Sequence, residues 1–135
     1  MTTIESPKVQ VGTAPEELRQ WVLDPANLEP LLPADKVTAF ASTAEGCSFK
    51  LPGGIMIVLG LEQADDPDVV RYASRKGTPI RFHLDLHFDG QSDGTTLGQI
   101  VCQADLNPFT RMMAEKPLQE LFNHIAEELQ RRYPV

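Results

Sequence analysis

The sequence predicts an α+β domain in which a seven-stranded antiparallel sheet covers a long C-terminal helix. Three observations support this prediction. Strand-like segments separated by turn signals fill the middle of the chain, one of them alternates strictly between apolar and polar residues, and an amphipathic helical pattern follows the last strand. The 135 residues fit a single domain, 1–135, and are enough to fold without a disulfide or a metal.

The chain starts with a predicted strand and two short helices. Alternating valines within residues 4–11 favour the strand. Thr13 and Glu16 form a capping-box pattern, in which Thr13 accepts from the amide three residues on and Glu16 reaches back, so a helix is expected after them. Asp24 followed by a proline predicts a second short helix, which Pro33 ends.

Six further strands are expected, because turn signals rich in glycine, proline and aspartate separate short β-prone segments. The segment 80–88 has the clearest pattern: its apolar residues alternate with polar ones, so one face is buried and the other is wet. The connections are too short for crossover helices, which predicts an antiparallel meander. The predicted strands are 37–41, 47–51, 55–62, 69–74, 80–88 and 96–106.

The C-terminal helix is expected to run from the Asn107 cap to about Arg132. Pro117 removes one backbone hydrogen bond and clashes with the preceding turn, so we expect a kink or a break there. The apolar residues after it fall at helical spacing and form a stripe that faces the sheet. These residues are Leu118, Leu121, Phe122, Ile125 and Leu129.

Two motifs add to this element order. They are Asp24-x-x-Asn27-Leu28 leading to Leu31-Leu32-Pro33, and Ala104-Asp105-Leu106-Asn107-Pro108 leading to Met112-Met113 and Lys116-Pro117-Leu118. Together with the element order they resemble the START-like helix-grip superfamily, also called SRPBCC or Bet v 1-like, in its small stand-alone bacterial members. The resemblance covers essentially the whole chain and implies a sheet wrapped around the last helix with a cavity between them. Members bind sterols, phospholipids, polyketides, quinones or plant hormones, some branches catalyse cyclisation or dehydration, and others act through protein contacts.

The resemblance and the one-sided pattern together predict an apolar pocket between the sheet and the helix, which carries a small hydrophobic molecule such as a lipid, a polyketide or a quinone. A solid core would show the same hydrophobic pattern, so the sequence leaves both possibilities open. The expected ligand-binding residues are Phe49, Met56, Tyr72, Phe82, Leu84, Leu86, Ile100, Cys102, Met113, Leu121 and Phe122.

No motif in the sequence predicts a metal or a cofactor. His83 and His87 lie four residues apart on one predicted strand, about 13 Å at ~3.3 Å per residue, so they cannot share an ion. Asp85 and one histidine would supply two ligands, whereas zinc takes three or four. We therefore interpret these three residues as the wet face of the sheet.

Catalysis would need polar groups that converge inside the pocket. The candidates are Tyr72 and Ser74, with Arg71 or Arg75 at a pocket mouth. The sequence favours a non-catalytic carrier over an enzyme. It leaves two alternatives open: a polyketide cyclase/dehydratase-like enzyme, and a protein-partner module of the Hsp90-activator type.

The net charge of −7 argues against a nucleic-acid partner, because phosphate binding depends on clustered basic residues. No apolar run is long enough to span a bilayer, and the N-terminal residues lack the pattern of an export signal. Cys47 and Cys102 are accordingly expected to be reduced structural residues in a cytoplasmic protein. The sequence leaves homo-oligomerisation open.

Overall fold

The structure is a computed structural model that describes residues 1–135. It contains eight strands, two α-helices and one 3₁₀ helix. The helical elements are α1 (Pro15–Val22), the 3₁₀ helix (Pro25–Leu31) and α2 (Pro108–Arg132). The strands are β1 (Thr2–Glu5), β2 (Val9–Val11), β3 (Thr38–Ser42), β4 (Gly46–Leu51), β5 (Ile55–Glu62), β6 (Val69–Ser74), β7 (Arg81–Gly90) and β8 (Thr96–Asp105).

All the strands belong to one antiparallel sheet with the order β1-β8-β7-β6-β5-β4-β3, and β2 also pairs with β8. The six strands from β3 to β8 form the predicted meander, each paired with the next along the chain. The predicted α+β helix-grip arrangement, with a large sheet and a long C-terminal helix, is confirmed. The expectation of seven strands needs one correction, because the first strand is interrupted.

The interruption lies at Ser6 and Pro7, between β1 and β2. Pro7 has no N–H to give to the β-ladder, and one extra residue is accommodated here, since Glu5 pairs with Val101 while Val9 pairs with Gly98. Ser6 is 3% exposed and its hydroxyl accepts from the amide of Ile100 at 2.9 Å, so the ladder stays satisfied. β1 and β2 thus fill a single position beside β8.

The two short helices follow β2 as predicted. The capping box predicted at the start of α1, however, does not form. Ala14 is the N-cap residue and no side chain caps the helix. The Thr13 hydroxyl donates to Glu17 instead, and the Thr13 carbonyl accepts from Thr96 at 2.7 Å. At the 3₁₀ helix the predicted start is confirmed, because the Asp24 carboxylate accepts from the Ala26 amide at 3.1 Å.

The helix α2 begins at the predicted cap, where the Asn107 side chain accepts from the Thr110 amide at 2.8 Å. It continues without interruption through Pro117, so a break into two helices does not occur. Pro117 nevertheless separates two environments: every buried residue of α2 lies from Leu118 onward. No helix is both long and apolar enough to cross a bilayer.

The core lies between one face of the sheet and the helices. In β7 the side chains of Phe82, Leu84, Leu86 and Phe88 are buried, while the polar residues between them are partly exposed on the other face. The buried stripe of α2 packs into the same apolar cluster as the buried β7 residues. The helix therefore lies on the face opposite His83 and His87, as the alternation predicts.

Candidate ligand-binding site

A small cavity lies where the 3₁₀ helix, the inner face of the sheet and the second half of α2 meet. Its volume is about 20 Å³, which is room for one water molecule. All 13 side chains around it are hydrophobic, so a buried water would find no side chain with which to hydrogen-bond. They are Leu28, Leu31, Leu32, Phe49, Ile57, Leu59, Phe82, Leu84, Leu86, Leu118, Leu121, Phe122 and Ile125.

Six of the eleven predicted pocket residues lie around this cavity. They come from three elements that the sequence identified separately: one residue from β4, three from β7 and two from α2. The β7 residues arrive together because alternate side chains of a strand share a face. The six are Phe49, Phe82, Leu84, Leu86, Leu121 and Phe122.

Three predicted residues, Tyr72, Ile100 and Cys102, are buried on the inner face but do not line the cavity. Tyr72 is fully buried, and its hydroxyl donates to the carbonyl of Val22 at the end of α1, at 2.5 Å. Burial raises the pKa of the Tyr72 phenol well above its usual range, so the group stays protonated. It anchors α1 to the sheet and is not free to act as an acid or base.

The prediction that Met56 faces the cavity is wrong. Phe49 pairs with Ile57, and Ile57 rather than Met56 lines the cavity. The run from Ile55 to Leu59 is apolar at every position, so its own sequence does not show which side chains point inward. The pairing with β4 decides it: Leu51 pairs with Ile55, and this register places Ile57 opposite Phe49.

Met113 is also misplaced, since it is 64% exposed. It lies five residues before Leu118, and five steps of about 100° leave it roughly 140° away from the buried stripe. Ala114, which lies four residues before Leu118, is partly buried against the core instead. Phe109 and Met112 are exposed on the same N-terminal part of α2, at 66% and 77%.

Seven cavity residues were absent from the predicted set. Three of them, the leucines of the second predicted helix, could have been included, because their spacing places them on one apolar side of that helix. Nothing in the sequence, however, showed that this helix packs beside α2 on the inner face of the sheet. The seven are Leu28, Leu31, Leu32, Ile57, Leu59, Leu118 and Ile125.

The outer face of the sheet carries a charged pair. Arg71 and Asp85 pair across β6 and β7, and the guanidinium donates to both carboxylate oxygens at 2.7 and 2.9 Å. Burial raises the pKa of Asp85, but the hydrogen bonds and the charge of Arg71 outweigh it, so the pKa is lowered overall. His83 Nδ1 lies 3.5 Å from the same carboxylate and makes no hydrogen bond.

The remaining polar candidates also lie away from the cavity. The Arg75 side chain pairs with Glu62 at 3.3 Å and is exposed, and the Ser74 hydroxyl accepts from the amide of Phe82 at 2.9 Å. No group of three or more His, Cys, Asp or Glu side chains is placed to hold a metal ion. The cavity is therefore apolar throughout, and the polar candidates named from the sequence do not converge on it.

The sequence matches no family model and no curated protein. The fold does match solved structures. The protein XoxI from Bacillus cereus has a TM-score of 0.75 at 15% identity, with 98% of this chain and 96% of that one covered. A protein from Thermus thermophilus gives 0.71 at 16% identity, with 97% and 96% covered. A START superfamily protein from Mycobacterium smegmatis gives 0.66 at 13% identity, with 97% and 96% covered. These likenesses show that the chain has a START-like fold.

Proposed function

We propose that the protein binds a small hydrophobic molecule between the inner face of the sheet and α2, without transforming it chemically. The observation that supports this proposal is the cavity wall, in which all 13 side chains are hydrophobic. Such a wall favours apolar ligands, because burying an unpaired polar group costs roughly 1–3 kcal/mol by protein mutational data. The START-like fold supports a binding role in general.

Ligand binding requires the cavity to expand. Small-molecule pockets typically hold about 300–1,000 Å³, whereas the cavity holds about 20 Å³. The sheet wall is held by continuous β-ladders from β4 to β7. The 3₁₀ helix has no ladder, and it contains two prolines within seven residues, Pro25 and Pro30. We expect the 3₁₀ helix to move away from α2 when a ligand enters.

The cyclase/dehydratase alternative receives less support from the geometry. It needs at least two polar groups in the pocket. The Tyr72 hydroxyl is bonded to Val22, and Arg71 and Arg75 are paired with carboxylates on the outer face or at its edge. Carriage or sensing of an apolar molecule is therefore the function that the interior supports best.

Fluorescence titration with N-phenyl-1-naphthylamine, a neutral apolar probe, tests the proposal. We expect saturable binding at one site, and a Leu84→Ala variant, which enlarges the cavity, should bind the probe more tightly than the wild type. Leu97→Ala, which removes a partly buried leucine from the outer face of β8, is the matched control and should leave the affinity unchanged. Absence of saturable binding in both the wild type and Leu84→Ala would refute the proposal.

A further inference from the structure

The wall of the cavity is closed in two different ways. On the sheet side, backbone hydrogen bonds hold β4, β5, β6 and β7 together. On the other side, the segment from the 3₁₀ helix to Val37 meets α2 without a hydrogen bond, and one ion pair crosses between them. This contact between the segment 25–37 and α2 is called the seam below. Opening it breaks no backbone hydrogen bond.

The ion pair at the seam connects two segments that both contribute residues to the cavity wall. It joins Lys36 Nζ to a Glu120 carboxylate oxygen at 4.0 Å. Leu32, four residues before Lys36, and Leu121, next to Glu120, both line the cavity. The ion pair therefore joins two segments that would have to separate for a ligand to enter between them.

The pair leaves the lysine available to another partner. Both side chains are 55% exposed and the separation is at the outer limit of an ion pair, so their interaction is worth little. The long stem of a lysine can lie along apolar surface while its ammonium stays in water. The Lys36 ammonium can thus pair with the head group of a ligand whose tail enters between the 3₁₀ helix and α2. Glu120 has a shorter side chain and lies on a helix, so it has less freedom to move with the lysine.

We propose, on the basis of the binding function above, that the ligand is an amphiphile with an anionic head group. Its alkyl or ring portion fills the apolar cavity, and its carboxylate or other anionic head pairs with Lys36 at the seam. The head cannot enter the cavity, because no polar side chain there would compensate for its lost hydration. Glu120 competes with the head for Lys36 and repels it.

Displacement of N-phenyl-1-naphthylamine by three ten-carbon competitors, below their micelle concentrations, tests this inference. Decanoate should bind about fivefold more tightly than decanol, which is the upper end expected for an exposed charge pair. Decyltrimethylammonium should bind no more tightly than decanol. Lys36→Met should abolish the preference for decanoate, whereas Glu120→Gln should increase it.

Lys50→Met is the matched control. It makes the same change in charge on the outer face of β4, where Lys50 is exposed and pairs with Met56, and it should keep the preference. Equal binding of decanoate and decanol to the wild type, tightest binding of the cation, or an equal effect of both lysine variants would overturn the head-group inference alone. Failure of the probe itself to bind would instead refute the proposed function.

Discussion

Replacing Tyr72 by phenylalanine tests whether this buried tyrosine is structural. The substitution removes one oxygen from a fully buried site and leaves the Val22 carbonyl without its hydrogen bond. That carbonyl lies in the last turn of α1, where no backbone amide is bonded to it. Because Val22 is fully buried, water cannot replace the hydroxyl.

The cost follows from that unpaired carbonyl. Leaving a buried acceptor unsatisfied costs about 1–3 kcal/mol. We therefore expect Tyr72→Phe to lower the free energy of unfolding by about 2 kcal/mol, with an unchanged denaturant m-value, since the surface exposed on unfolding stays the same. Affinity for N-phenyl-1-naphthylamine should not change, because Tyr72 does not line the cavity.

Urea unfolding followed by the fluorescence of Trp21 measures this cost, and Tyr133→Phe is the control. The Tyr133 ring packs edge-on against Trp21, with ring centroids 6.4 Å apart, and phenylalanine keeps that contact. The control should change the stability by less than about 0.5 kcal/mol. Equal stability of Tyr72→Phe and the wild type would show that the hydrogen bond to Val22 does not hold α1. A loss of probe binding at unchanged stability would place the hydroxyl at the ligand.

Three further predictions concern packing, pH and thiol reactivity. Phe122→Ala should cost about 3–5 kcal/mol because Phe122 is fully buried, whereas Met112→Ala, at an exposed position, should cost less than about 0.5 kcal/mol; equal costs in urea unfolding would contradict the placement of α2. The Arg71 pair lowers the folded-state pKa of Asp85, so its stabilisation is present above about pH 4 and is lost as the pH falls through that lowered value. The stability gap between wild type and Asp85→Asn should therefore shrink on acidification, and a gap that grows would refute this sign. Burial raises the pKa values of the two cysteines to about 11 and about 12, so at pH 8 only about one thiol in a thousand or fewer is ionised; Ellman's reagent should label neither until the protein unfolds, and rapid labelling of the native protein would contradict their burial.

How well an element could be predicted depended on whether its own apolar and polar residues fix its type and its buried face. The alternation in β7 fixes both the strand and its buried face, because a shift by one residue would bury Arg81, His83 and Asp85. The apolar run of β5 has no such constraint, and the choice of Met56 over Ile57 was wrong for that reason. The face of β5 is set by its pairing with β4, which is tertiary information that a short turn only partly encodes.

The helix α2 shows the same limit. The stripe from Leu118 to Leu129 was predicted because its spacing repeats over several turns. Met113 lies outside that stripe and is exposed, so its place among the pocket residues was wrong. Its angular position on the helix separates it from Ala114, which packs against the core.

The size of the cavity could not be predicted, because hydrophobic patterns report which side chains are buried and not how closely they pack. A void of about 20 Å³ and a pocket for a small molecule can be lined by the same leucines and phenylalanines. What distinguishes a binding site from a filled core here is the ease of opening one wall. In this protein, that wall is a seven-residue 3₁₀ helix with two prolines, and the segment that follows it is joined to α2 by a weak ion pair. An interior closed by hydrogen-bonded strands on one side and by side-chain contacts on the other is expected to open at the seam, where Lys36–Glu120 is the one ion pair between the two segments.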